Sequence, residues 1–122
     1  TMEKKMRTMK TNDLIDDTLD WVVATCEGEE VEYINDGITR CLLRKSTGRY
    51  APSTNWSQAG PIIEREELTL KCHWQRPYAI KLLTEEKRVV QGNGPTPLIA
   101  AMRCYVASKL GDEVNIPEGL EC

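Results

Sequence analysis

Thr96-Pro97 running into Leu98-Ile99-Ala100-Ala101-Met102-Arg103-Cys104-Tyr105-Val106 constrains the fold of this chain more than any other stretch. Its apolar residues cover nearly every direction of a 3.6-residue period, so a helix here must be buried on most of its surface. Thr96 is placed as N-cap and Pro97 as first helical residue, where a missing N–H costs nothing. Lys109 suits the last turn, and Gly111 closes the helix. Gly92-Asn93-Gly94-Pro95 ahead of it reads as a flexible loop. Backbone amides at a helix start attract anions, which makes this start the candidate phosphate-binding feature of the chain. An ordinary capped helix after a glycine turn explains the same residues.

A chain of 122 residues has the size of one domain, and we read residues 1–122 as one, with 1–9 flexible. Thr1 ahead of Met2 reads as a residue left over from expression. The formal net charge of −3 argues against nucleic-acid binding, which depends on clustered cations. Lys4-Lys5-Met6-Arg7 is the one basic cluster, and it reads as a solvated end. No run approaches the ~20 apolar residues that cross a bilayer, and no segment resembles a signal peptide. A soluble cytoplasmic protein is the expectation. The five cysteines are widely spaced with no C-x-x-C pair, so we expect reduced thiols and neither a zinc ribbon nor a redox pair. Phe is absent, leaving Leu, Ile, Val and Trp to fill the core.

A first main helix is expected over about 13–27, capped by Asn12 or Asp13 and ended by Gly28. Ile15, Leu19, Val22, Val23 and Cys26 form its apolar stripe. Trp21 lies off that stripe and must cover a neighbour or line a groove. Val31–Ile34 and Ile38–Leu43 read as a hairpin around Asn35-Asp36-Gly37. Residues 49–61 read as a long polar loop carrying Tyr50 and Trp56, followed by one or two helical turns from Ile62. Leu68–Trp74 alternates like a strand, and Tyr78–Leu83 with Arg88–Val90 forms a further pair. Arg7–Thr11 and Asp112–Pro117 are short terminal strands. The fold class is therefore α/β (α+β): a layered sandwich of a small sheet with two main helices, over about 13–27 and 97–110.

Tyr50, Ser53, Thr54, Asn55 and Trp56 offer stacking faces and polar edges suited to a base or sugar. Arg65 follows them closely, and its guanidinium suits phosphate. Glu64, Glu66 and Glu67 around it read as a solvated helix face. A core plug at Trp56 and turn-capping polar residues are the plainer alternative. The loop Gly92–Pro97 lacks the lysine of a phosphate-gripping P-loop, which removes a nucleoside-triphosphatase. His73 is the sole histidine, so no multi-histidine metal site exists, and no nucleophile or metal motif occurs. We expect no catalysis, no metal and no cofactor.

Three stretches carry a resemblance. They are Leu19-Asp20-Trp21-Val22-Val23-Ala24 with Cys26-Glu27-Gly28; Tyr50-Ala51-Pro52-Ser53-Thr54-Asn55-Trp56 continuing to Arg65; and Gly94-Pro95-Thr96-Pro97 continuing to Val114. Together they resemble the NinX-like family of small temperate-phage accessory proteins, which is similar to phage ABA-sandwich domains. Residues 29–48 carry no part of the likeness. The resemblance implies a layered α/β fold, no transferable enzymatic activity, and expression in the cytoplasm of an infected bacterium.

In that setting the expected function is counter-defence. The chain would bind and sequester a small nucleotide-like ligand with phosphate, made by the host as an immune signal, without turning it over. Tyr50 or Trp56 would stack on a base, and Ser53, Thr54 and Asn55 would read polar edges. Gly94, Thr96, Arg65 and Arg103 would hold phosphate. One pocket is expected, with Thr96 on one wall and Trp56 on the other. The alternative is a protein-binding inhibitor or adaptor, in which Trp21, Trp56 and the acidic surface meet a host protein. No membrane or nucleic-acid partner is expected, and a homodimer is an open possibility for leftover apolar surface.

Overall fold

A computed structural model describes residues 6–35, 37–38, 40–44, 48–117 and 120. Among them are three α-helices and eight strands, arranged in three small antiparallel sheets. The mixed α+β class and both main helices agree with the sequence. The sheet is divided into three, and a third helix joins the layer.

Helix α3 (Pro97–Leu110) is the centre. Every residue from Leu98 to Ala107 is buried. Thr96 caps it as expected, its Oγ1 accepting from the Ile99 N–H at 3.2 Å, and Gly111 ends it at φ +89°. Strands β5 (Thr69–His73), β6 (Arg76–Leu83) and β7 (Arg88–Asn93) form a meander against one side of α3. Gly92 and Asn93 therefore end β7 and do not belong to the expected loop. Gly92 lets the layers meet: a Cβ there would lie 2.3 Å from the Cys104 amide nitrogen and 2.5 Å from the Ala100 carbonyl oxygen. Only a glycine allows backbone to approach backbone this closely.

Helix α1 (Asp16–Glu27) packs on another side of α3, burying Leu19, Val22 and Val23 of the expected stripe. Its start differs from the sequence reading. Residues Thr11–Asp13 form a separate 3-10 turn, and Ile15 takes the N-cap place with no side-chain cap. The turn directs Leu14 into the core, where it is fully buried. Asn12 turns to β7 instead of capping, its Oδ1 accepting from the Asn93 N–H at 3.4 Å. Burial of Leu14 outweighs a cap worth about 1 kcal/mol.

Helix α2 (Trp56–Glu66) corrects the long-loop expectation over 49–61. Asn55 caps it, its Oδ1 accepting from the Ser57 N–H at 2.9 Å. Ala59, Ile62 and Ile63 follow at helical spacing and face the main core. Gly60-Pro61 signals a break, yet Pro61 sits inside the helix. The Ser57 carbonyl it leaves without an intrahelical donor belongs to an exposed residue, where water can satisfy it.

The hairpin β2 (Val31–Asn35) and β3 (Arg40–Arg44), with the short β4 (Gly48–Arg49), packs against α1. Asp36 of the expected turn and Thr39 of the expected returning strand lie outside the described residues. A second, smaller core forms here from Ala24, Leu42, Tyr50 and Leu120, with Trp21 packed on it. Strand β1 (Met6–Lys10) pairs antiparallel with β8 (Glu113–Pro117), so residues 6–9 of the start expected to be flexible lie in a strand. Residues 1–5 lie outside the described residues. Cys26, Cys41, Cys72 and Cys104 are free thiols, and Cys122 is not among the described residues. Among the described residues no helix is long and apolar enough to cross a membrane.

Candidate functional site

The segment between β4 and α2 is held from both ends. The Tyr50 N–H donates to the Leu42 carbonyl at 2.8 Å, and Gln58 reaches back to the Ala51 N–H and the Arg49 carbonyl. In the middle stands Asp20 of α1, only 2 % exposed. Its Oδ1 accepts from the Ser53 N–H at 2.7 Å and its Oδ2 from the Ser53 hydroxyl at 3.0 Å. Burial pushes the Asp20 carboxyl up to about 7, against two Ser53 hydrogen bonds that favour the charged form. The group therefore titrates near neutrality.

These contacts frame a hollow of about 490 Å³ between α1 and the segment. Tyr50, Ser53, Thr54, Asn55 and Trp56 all line it, so five of the sequence-derived candidates come together. Their roles differ. Tyr50 is 3 % exposed, and the Arg44 guanidinium lies 4.9 Å from its ring centroid, so one stacking face is already taken. Ser53 is buried on Asp20, and Asn55 is engaged as the α2 cap. Trp56 remains 55 % exposed at the rim. The opposite wall is α1, with Asp16, Asp17 and Asp20, and Arg49 adds one cation. The hollow is thus acidic, a sign unsuited to phosphate. Asp16 and Asp17 also form the acidic first turn of α1, where they suit the helix dipole. The one signal for Asp20 was a carboxylate bordering the apolar stripe beside Leu19.

The other four candidates lie elsewhere and are engaged within the fold. Arg65 forms a bidentate pair with Glu27, at 3.0 and 2.6 Å, and reaches Glu66 at 2.9 Å. Tyr105 donates its hydroxyl proton to the same Glu27 carboxylate. Hydrogen bonding from Arg65 holds the Glu27 carboxyl below its usual range. Burial alone would raise Glu66, but Arg65, Lys81 and Lys109 overturn this and bring it down to about 2. Arg103 is buried, its Nε donating to the Leu14 carbonyl at 2.8 Å and its Nη1 to the Asn93 carbonyl at 2.7 Å.

Gly94 donates its N–H to the Pro77 carbonyl at 3.3 Å, and a Cβ on it would lie 2.8 Å from Ile99 Cγ2. Thr96 occupies the Ile99 amide with its side chain and the Ala100 amide with its carbonyl, at 3.2 and 3.0 Å. Pro97 has no amide proton to offer. The hollow beside Trp56 includes neither Gly94 nor Thr96, so the expected pocket with Thr96 on one wall is not formed there.

A second hollow, of about 710 Å³, lies between α1 and the hairpin. Trp21 and Thr25 line it from α1, and Val31, Glu32 and Leu43 line it from β2 and β3. Trp21 thus both covers the small core and lines a groove, the two roles open to it from sequence.

No curated protein matches the chain. A family model does, that of bacteriophage P22 NinX, over residues 10–109. This span runs from the end of β1 to the last turn of α3 and contains both hollows. The chain belongs to the bacteriophage P22 NinX family.

Proposed function

We propose that this phage protein acts by binding a host protein, as a non-catalytic inhibitor or adaptor, through the acidic hollow rimmed by Trp56. The observation that carries this reading is the pairing of an exposed indole with the carboxylates of Asp16 and Asp17 on the facing wall. An exposed tryptophan is a favoured anchor at protein interfaces, and its π face attracts cations. The carboxylates offer acceptors to an arginine or lysine from the partner. Retention of a host protein from lysate tests it. Wild-type protein is expected to hold a stoichiometric partner that Trp56→Ala loses. A partner held equally by Trp56→Ala refutes the site.

A second reading is favoured by the gathering of Tyr50, Ser53, Thr54, Asn55 and Trp56 around one hollow. It is the sequestration of a nucleotide-derived immune signal, with Trp56 stacking on the base and the carboxylates accepting from base N–H groups. Phosphate would have to point away from Asp16 and Asp17, because Arg65, Arg103 and the α3 start are occupied within the fold. Calorimetry against cyclic dinucleotides and cyclic ADP-ribose isomers separates the two. Binding tighter than ~10 μM with ligand returned unchanged on heating supports sequestration, and its absence leaves the protein partner.

A further inference from the structure

We infer that the two hollows form one recognition groove along α1, and that its occupant is a basic amphipathic peptide segment of the partner. The inference rests on the host-protein reading above and adds the chemistry of what is bound. Asp17, Trp21 and Thr25 stand at i, i+4 and i+8, one line along the same flank of α1. Asp17 lines the smaller hollow, and Trp21 and Thr25 line the larger. The line runs about 12 Å at 1.5 Å per residue.

The two ends differ in character. The larger hollow presents apolar surface: Trp21 and Val31 are half-buried and Leu43 is 37 % exposed. Its rim carries Glu30 and Glu32 beside Glu29, which pairs with Arg44 at 3.6 Å. The smaller carries Asp16 and Asp17 against Arg49, with Asp20 buried on Ser53 behind them and Trp56 at the edge. Carboxylates thus outnumber guanidinium groups at both ends. This charge balance selects the occupant. An anionic or plainly apolar ligand gains nothing from the carboxylates, whereas an apolar side chain flanked by arginine or lysine satisfies both hollows. The apolar anchor seats against Trp21, Val31 and Leu43, and the cation against Asp16, Asp17 and the Trp56 ring. A segment laid along the whole line from Asp17 to Thr25 would run roughly four residues of extended chain or two turns of helix.

Selection from a displayed library of random 12-residue peptides, on the immobilised full chain, tests the groove. The expected consensus is one large apolar residue and one arginine or lysine at fixed spacing. Binding of such peptides should fall at least tenfold in Leu43→Asp and in Glu32→Lys, both surface changes. It should fall similarly in the double variant Asp16→Asn, Asp17→Asn. A consensus without a basic residue, no enrichment at all, or binding unchanged by these substitutions overturns the groove. The host-protein reading is judged separately. A lysate partner lost by Trp56→Ala but retained by Leu43→Asp and Glu32→Lys leaves that reading standing and removes the groove alone.

Discussion

Helices α3 and α1 treat their polar groups in opposite ways. Around α3, each group that sequence reasoning assigned to phosphate is engaged inside the fold: Thr96 on its own helix, Arg103 on two backbone carbonyls, and Arg65 on Glu27 and Glu66. Along the outer flank of α1, carboxylates and indoles line open hollows. Burial accounts for Arg103, which left unpaired within Leu98–Ala107 would cost roughly 1–3 kcal/mol, whereas the exposed Thr96 and Arg65 are occupied as a cap and in an ion pair. The flank of α1 at Asp16, Asp17 and Trp21 stays at least partly exposed to solvent.

Four substitutions probe this division. Gly92→Ala forces a methyl group into the backbone of α3, with no flexible side chain to yield. It should cost about 3 kcal/mol or more, read as loss of the folded transition on heating. Glu66→Gln removes the charge shared by Arg65, Lys81 and Lys109, at a carboxylate whose side chain is 9 % exposed. A loss of about 1–2 kcal/mol at neutral pH is expected by denaturant titration. Glu66 sits at about 2 against an ordinary 4.5. Its contribution is therefore present above pH 4.5 and disappears as pH falls toward 2, and the variant should lack that acid slope.

Asp20→Asn acts in the opposite sense. The Asp20 carboxyl is raised from 3.8 to about 7. Its folded form holds a proton that the unfolded chain has released, so stability is greatest below pH 3.8 and falls as pH rises through 7. Asn keeps an oxygen for the Ser53 N–H, and thermal scans across pH 5–8 should become flatter. Trp56→Ala, at an exposed rim, should change stability by no more than about 0.5 kcal/mol. A larger loss would mean that Trp56 is part of the core.

What the sequence made legible follows the same division. Periodicity and caps are local, so α3 with Thr96, Pro97 and Gly111 could be read almost to the residue, as could the stripe of α1. The three-way split of the sheet could not, because strand pairing joins residues as distant as Met6 and Pro117. Asn55 as the α2 cap was hidden by the stronger turn signal of Gly60-Pro61. The hollow beside Trp56 was half legible. Its segment Tyr50–Trp56 stood out by composition, but its facing wall is α1, brought there by the buried Asp20–Ser53 contact between residues far apart in sequence. Arg65 and Arg103 looked available because their partners, Glu27 and the carbonyls of Leu14 and Asn93, meet them only in the folded chain.

The central claim is that recognition belongs to the α1 flank and not to the start of α3. Retention of a host protein by wild-type, Trp56→Ala and Thr96→Ala chains, measured side by side, tests it most directly. Thr96→Ala should lose about 1 kcal/mol of stability with its cap and keep the partner, while Trp56→Ala keeps its stability and loses the partner. A partner lost by Thr96→Ala while that variant remains folded, and kept by Trp56→Ala, would contradict the account.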